Sequence, residues 1–219
     1  MESQLLYELA LHLTPGIGNV NIKTLIGYCG SAEAVLKTPK GKLAKIPGVG
    51  YVTASKIHLG NFLKQAQEEL DQASKLGVQT ISFTDQRYPI QLKSIPDAPA
   101  ILFINGNIDF KDRKTVAIVG TRKATKYGLE LTESIIEQLV PYNPIIVSGL
   151  AYGIDIKAHS VAMDKALDTV AVMASGSDII YPAAHRTVAR QIESSGALIT
   201  EHKLGTPPDA PRFPARNRI

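Results

Sequence analysis

The sequence predicts an α/β protein in which a parallel-sheet domain is preceded by a small all-helical domain. Three observations carry this prediction. From Thr115 onward, short β-rich runs alternate with helix-length segments, the pattern of successive βαβ units. Up to about residue 65 there are only short apolar segments at helical spacing, broken by Pro-Gly and Gly. The glycine-rich and basic loops of the second half each follow a predicted strand, and parallel sheets bind ligands beyond the carboxyl ends of their strands.

Residues 1–65 form the predicted helical domain. Leu5, Leu6, Leu9 and Leu13 recur at helical spacing. A repeat follows: Thr14-Pro15-Gly16-Ile17-Gly18-Asn19-Val20 aligns with Ile46-Pro47-Gly48-Val49-Gly50-Tyr51-Val52. Each copy leads into a helical pattern, Asn21–Ile26 and Thr53–Leu59. Such paired turns resemble helix–hairpin–helix motifs, in which glycines keep side chains away so that N–H groups at a helix start can meet a phosphate. Gly16, Gly18, Gly48 and Gly50 are the candidate phosphate contacts. Charge agrees, because seven lysines (23, 37, 40, 42, 45, 56, 64) stand here against Glu2, Glu8 and Glu33, while the rest of the chain is close to neutral. A helical bundle whose turns need glycine, or a protein-docking module, fits the same residues.

Residues 66–115 read as a connector, with an added helix and strand, packed on the next domain. A helix over Asn61–Leu76 stops at Gly77, the residue type that takes the left-handed conformation past a helix end. Val78–Phe83 alternates as a strand. Tyr88-Pro89, Ile95-Pro96 and Ala98-Pro99 force extended or turn backbone. The apolar run Ile101–Ile104 argues against a free linker.

Residues 116–219 form the sheet domain. Strands are expected at Thr115–Val119, Ile145–Ser148, Thr169–Ala174 and Ala197–Thr200, with helices at Gly128–Val140, Asp155–Lys165 and His185–Ser194. The first strand runs into Gly120, Thr121, Arg122 and Lys123, with Lys126 shortly after. Gly120 lets backbone N–H groups approach an anion, Arg122 can fork onto a phosphate, and the lysines add point charges. A solvated basic first turn explains the same residues. The motif is not Gly-x-Gly-x-x-Gly, and the second strand ends in Ser148-Gly149 without an acid for a ribose, so no nicotinamide cofactor is expected.

Three further loops carry candidates. Gly149 and Gly153 permit a tight turn before Asp155, which suits a helix start. His159 stands one helical turn on, placed for a contact with Asp155 that fixes the loop, or for acid–base chemistry. Past the third strand, Tyr181 offers a stacking surface and His185 a donor at a helix start. A tyrosine packed under its own loop is the alternative there. At the end, Arg212, Arg216 and Arg218 surround Phe213 beside Asn217, which suits phosphate contact with base stacking. An unstructured basic tail is the plain alternative. Parallel sheets of four strands usually continue, so this domain is expected to be truncated at its C-terminus.

Composition narrows the function classes. At 44% hydrophobic and 20% charged, the chain has globular proportions, which excludes wholesale disorder. It contains no apolar run near the ~20 residues that cross a bilayer. Its start lacks a basic region followed by an apolar stretch. One cysteine, Cys29, cannot build a disulfide framework or a multi-cysteine metal site. The expectation is a soluble cytoplasmic protein with no metal, no cofactor and no membrane partner.

In order along the chain, these motifs resemble the DNA-processing protein A family (DprA, also called Smf). The resemblance is densest in Val-Ala-Ile-Val-Gly-Thr-Arg from Val116, Ser-Gly-Leu-Ala-x-Gly-Ile-Asp from Ser148, the stretch from Thr169 to Tyr181-Pro182, and Phe-Pro-Ala-Arg-Asn-Arg-Ile from Phe213. It implies an extended Rossmann-like domain that binds single-stranded DNA. It also implies a homodimer for the full-length protein, and RecA recombinase as the partner loaded during natural transformation. Members so engaged are mediators, not enzymes. Carried over by position, Gly120, Thr121 and Arg122 enter the DNA pocket with the loops 148–155 and 181–185. Phe213, Arg216, Asn217 and Arg218 lie in a matching motif. Ala183 stands where several relatives carry lysine and His185 where they carry asparagine, so the local basic charge falls to Lys123 and Lys126. The competing reading is a Rossmann-like nucleotide-processing enzyme of the nucleoside-monophosphate phosphoribohydrolase type, whose Pro-Gly-Gly-x-Gly-Thr-x-x-Glu motif is expected later than Ile219, so that its absence here does not discriminate.

Overall fold

The computed structural model describes residues 2–219; Met1, which opens the predicted helical domain, lies outside the described residues. Two compact units divide the chain, the first ending at Leu102 and the second spanning Phe103–Ile219. The first holds α1 (Glu2–Leu13), α2 (Asn19–Cys29), α3 (Ala32–Lys37), α4 (Lys40–Leu43), α5 (Gly50–Leu59), α6 (Phe62–Lys75), β1 (Gln79–Ser82) and α7 (Ile90–Lys93). Leu11, Ile22, Leu25, Val35, Leu43 and Ile57 are buried together at the centre of its helices. The sequence repeat is also a structural repeat. Ile17 and Val49 are both buried, and their N–H groups close the same turn, onto the Thr14 carbonyl at 3.2 Å and the Ile46 carbonyl at 3.1 Å. Gly16 and Gly48 share a φ of +81°, which favours glycine.

β2 (Ile101–Gly106) straddles the boundary between the units. The second unit continues with β3 (Thr115–Ala117), α8 (Lys126–Leu139), β4 (Ile145–Ser148), α9 (Ile154–Asp164), β5 (Thr169–Val172), α10 (Arg186–Ser195), β6 (Gly196–Thr200) and α11 (Arg212–Arg216). The six-stranded sheet runs in the order β1-β2-β6-β5-β4-β3. β3 to β6 are parallel, as predicted, with Thr115 opposite Ile145, Ile146 opposite Thr169 and Thr169 opposite Gly196. Right-handed crossovers between successive neighbouring strands place their helices on one face; accordingly α8 packs on α9 and α9 on α10. The helix-covered core contains Ile136, Ile146, Ala158 and Leu167, and a second cluster gathers Leu150, Ala171, Ile192 and Leu198.

Two features depart from the prediction. The sheet is mixed, because β2 lies antiparallel on β6 with Phe103 opposite Thr200, and the predicted connector supplies two strands instead of one. No βαβ crossover joins β2 to β6, so the parallel rule does not bind it. α8 starts at Lys126 because the Thr125 hydroxyl caps it, accepting the Gly128 N–H at 3.2 Å. Among the described residues, no helix is long and apolar enough to cross a membrane.

Candidate nucleic-acid interface

Parallel strands end on one side, so the loops after β3, β4 and β5 share a rim. The first two are locked together. The Ser148 hydroxyl donates to the Ile118 carbonyl at 2.6 Å, and the Ile154 N–H donates to the Thr121 carbonyl at 3.2 Å. The packing of the one loop on the other requires glycine at two positions. A Cβ on Gly120 would sit 2.6 Å from the Ile154 side chain, and one on Gly153 would sit 2.2 Å from the Thr121 carbonyl oxygen. Gly153 is moreover left-handed, at φ +79°. The Thr121 hydroxyl then accepts the Lys123 N–H at 3.2 Å and holds the turn that presents Arg122.

On this rim the tertiary structure gathers a cation and several aromatic rings. The exposed Arg122 guanidinium lies 5.1 Å from the centre of the Phe213 ring, and the Tyr181 ring is 5.5 Å from the same phenylalanine. Tyr181 is 48% exposed, so it packs under its own loop only in part and keeps a surface for a ligand. Tyr152, 49% exposed, stands edge-on to His185 at 4.8 Å. Sequence reasoning passed over Tyr152, although an aromatic residue between Gly149 and Gly153 was a readable signal. Lys123 and Lys126 are exposed; Lys126 lies 3.7 Å from Glu130, a surface pair of little energetic weight.

Beneath the rim lies a buried polar layer, and several predicted contacts belong to it. Arg216 is 9% exposed and spends its guanidinium inside the protein, donating to the Gly149 carbonyl at 2.7 Å and the Val172 carbonyl at 2.5 Å. It braces the ends of β4 and β5 from below. Gly149 makes room, since a Cβ there would meet the guanidinium at 2.2 Å. Arg216 Nε donates to the exposed Asn217. Burial lowers the Arg216 pKa, with Asp155 opposing and Arg122 reinforcing the shift. Arg218 pairs with Glu201, and Arg212 donates to the Pro207 carbonyl at 2.8 Å. Of the C-terminal candidates, Phe213 is the one packed in the Arg122–Tyr181 cluster. His185 is also buried, its Nδ1–H donating to the Leu150 carbonyl at 2.8 Å.

His159 does not bond Asp155; its partner is Thr169, at 2.7 Å. The Thr169 hydroxyl gives its proton to the Ile146 carbonyl, so it accepts from His159 Nδ1–H. The other ring nitrogen is buried with no hydrogen-bond partner among the described residues. An acid–base pair with Asp155 is therefore replaced by a structural histidine. Burial, followed by the nearby positive charge of Arg216 and then His185, pushes its pKa down to about 3. Unfolded histidine titrates near 6.5, so the stabilisation from a neutral His159 is complete above that pH and is lost as pH falls towards 3. Across that window stability should fall by about 1.4 kcal/mol per pH unit for this one proton. Denaturant midpoints measured from pH 7 to 4 should show a shallower pH slope for His159→Gln. An unaltered slope in that variant would assign the acid sensitivity elsewhere.

In the first unit, both predicted hairpins are surface features. Gly16, Gly18, Gly48 and Gly50 are exposed, and the Lys56 ammonium lies close enough to Gly16 that a Cβ there would be 2.9 Å away.

Comparison with known proteins follows the same outline. The family described as DNA recombination-mediator protein A matches residues 79–219. Protein Smf of Synechocystis sp. is 34% identical over 99% of this chain and 56% of its own length. DNA processing protein DprA of Bacillus subtilis is 35% identical over 76% of this chain and 56% of its own. The chain thus spans about half the length of the curated relatives it matches. The X-ray structure of DNA processing protein A from Streptococcus pneumoniae superposes on 97% of this chain and 73% of that one, with a TM-score of 0.82 at 30% identity. DNA processing protein A from Helicobacter pylori, described for its single-stranded DNA binding mode, superposes on 64% of this chain and 63% of that one, with a TM-score of 0.55 at 29% identity. With the family pattern covering well over half the chain and the rim built from its own strand-end loops, the chain belongs to the DNA recombination-mediator protein A family.

Proposed function

We propose that the rim of the parallel sheet binds single-stranded DNA, and that the full-length protein, as a homodimer, protects the strand and loads RecA recombinase onto it. The observation that carries this reading is the Arg122–Phe213–Tyr181 cluster, assembled from three separate chain segments at the carboxyl ends of the strands. Arg122, Lys123 and Lys126 meet phosphates. Tyr181, Tyr152 and Phe213 stack bases, each stacked base contributing about 1–3 kcal/mol without regard to its identity. The backbone of Gly120, Thr121, Ser148, Gly149 and Gly153 lets the strand come close. The two front hairpins add phosphate contacts suited to a duplex, through backbone N–H groups at Gly16, Gly18, Gly48 and Gly50. No catalytic step is part of this proposal, and the protein acts in the cytoplasm.

A salt titration of single- and double-stranded oligonucleotide binding tests it. Oligo-dT should bind in low salt, and its affinity should fall with a log–log slope of about 0.7 for each phosphate engaged. The duplex arm reads the hairpins. Absence of oligo-dT binding at low salt, or binding indifferent to salt, would overturn the reading.

A further inference from the structure

A pocket of about 370 Å³ opens in the second unit, walled by Asn105 on β2, by Ser177, Asp178 and Ile180 of the loop after β5, and by Arg186 and Arg190 of α10. We infer that it is a second nucleotide subsite, which takes a phosphate and its nucleotide from a DNA strand continuing past Tyr181. This rests on the rim as the primary site, because Ile180 lines the pocket and the next residue is Tyr181.

The polar groups of the pocket are unevenly used. Asp178 accepts the Gly205 N–H at 2.9 and 3.0 Å, and Glu193, also in the wall, accepts from the Asn105 amide at 3.3 Å. The two acids are thus already engaged. Arg186 and Arg190 stand one turn apart on α10, both exposed, and among the described residues neither guanidinium has an ion pair or side-chain hydrogen bond. Two unengaged guanidinium forks at this spacing match a phosphate group.

The third feature is a hydroxyl. Ser177 is 2% exposed, and among the described residues its oxygen has no hydrogen-bond partner. Its neighbours are satisfied, Ser175 on the Ile179 carbonyl at 2.6 Å and Thr200 on the Ser175 carbonyl at 2.8 Å. A buried hydroxyl left alone is costly unless something else completes it. The loop that holds it is braced from outside, the Gly176 N–H donating to the Thr206 carbonyl at 2.9 Å. The pocket is therefore built before a ligand arrives, with apolar Ile180 and Ala189 beside the polar groups.

Fluorescence anisotropy with two labelled dT oligomers tests the subsite, one of about 5 nucleotides to fill the rim and one of about 16 to run beyond it. Arg186→Ala/Arg190→Ala should bind the long oligomer roughly tenfold more weakly, with a salt slope lower by about 0.7, and should bind the short one like the wild type. Ser177→Ala should keep or raise the melting temperature while weakening the long oligomer several-fold. A structural role for that hydroxyl would give the reverse. Wild-type affinity and slope for the long oligomer in the double variant overturn the subsite, as do equal losses on both lengths. Arg122→Ala separates the two readings: if it leaves both oligomers unaffected, the rim fails, whatever the pocket variants do.

Discussion

Arg122→Ala should weaken every single-stranded oligonucleotide by about ten- to a hundredfold, with no dependence on sequence. A charge-assisted hydrogen bond to phosphate contributes about 1.5–3 kcal/mol, which corresponds to that range. A second loss adds to it. The guanidinium lies 5.1 Å from the Phe213 ring, so its removal also releases a stacking residue from its place on the rim. The salt slope should become shallower by about 0.7, one phosphate's share for a single strand. Because Arg122 is exposed, thermal stability should stay within about 0.5 kcal/mol of the wild type. Arg122→Lys should keep the slope yet recover the affinity only in part, since an ammonium lacks the planar fork. Binding isotherms at three or more salt concentrations, alongside melting curves, give each quantity. Unchanged affinity for oligo-dT in Arg122→Ala would remove the central contact of the proposed function.

Gly153→Ala should destabilise the second unit by about 2–4 kcal/mol, from the strain at a glycine-only backbone position together with overpacking. At φ +79° and ψ −118° the backbone is in a region that a side chain disfavours. The new Cβ would also meet the Thr121 carbonyl oxygen at 2.2 Å and the Arg122 backbone at 2.9 Å. These are main-chain atoms, which cannot swing aside as a side chain would. Relief has to come from moving the turn that carries Arg122, so single-strand affinity should fall along with stability. Gly205→Ala is the control. Its φ is +71°, yet nothing lies within 4 Å of an added Cβ, so its cost should be limited to about 1 kcal/mol. Urea midpoints of the two variants should differ clearly, and coincident midpoints would show that the loop-on-loop contact carries no such constraint.

Much of the architecture was readable from residue order. The spacing of apolar residues marks strand β4 residue for residue, and the repeat spacing marks the paired turns at Gly16 and Gly48. The loops that proved to carry Arg122, Tyr152 and Tyr181 were located by a rule of parallel sheets. These features are local: spacing of apolar residues, turn chemistry and capping depend on neighbours a few positions away, so they are written in the chain itself. The site candidates were legible as a neighbourhood, less so as individual roles.

What residue order could not convey was which groups spend their polarity inward. Arg122 and Arg216 are chemically alike and both follow glycine-rich or basic motifs, yet one stacks on Phe213 in solvent and the other supports two strand-end carbonyls from beneath. His159 is at helical spacing from Asp155, but the partner that fixes its tautomer is Thr169, on a neighbouring strand. The same holds for β2, whose direction depends on its pairing with β6 and not on its own apolar run. In each case the deciding interaction joins residues far apart in the chain, and its strength depends on burial. Pattern and turn chemistry set the scaffold; desolvation and long-range pairing choose which of its cations remain available to a ligand.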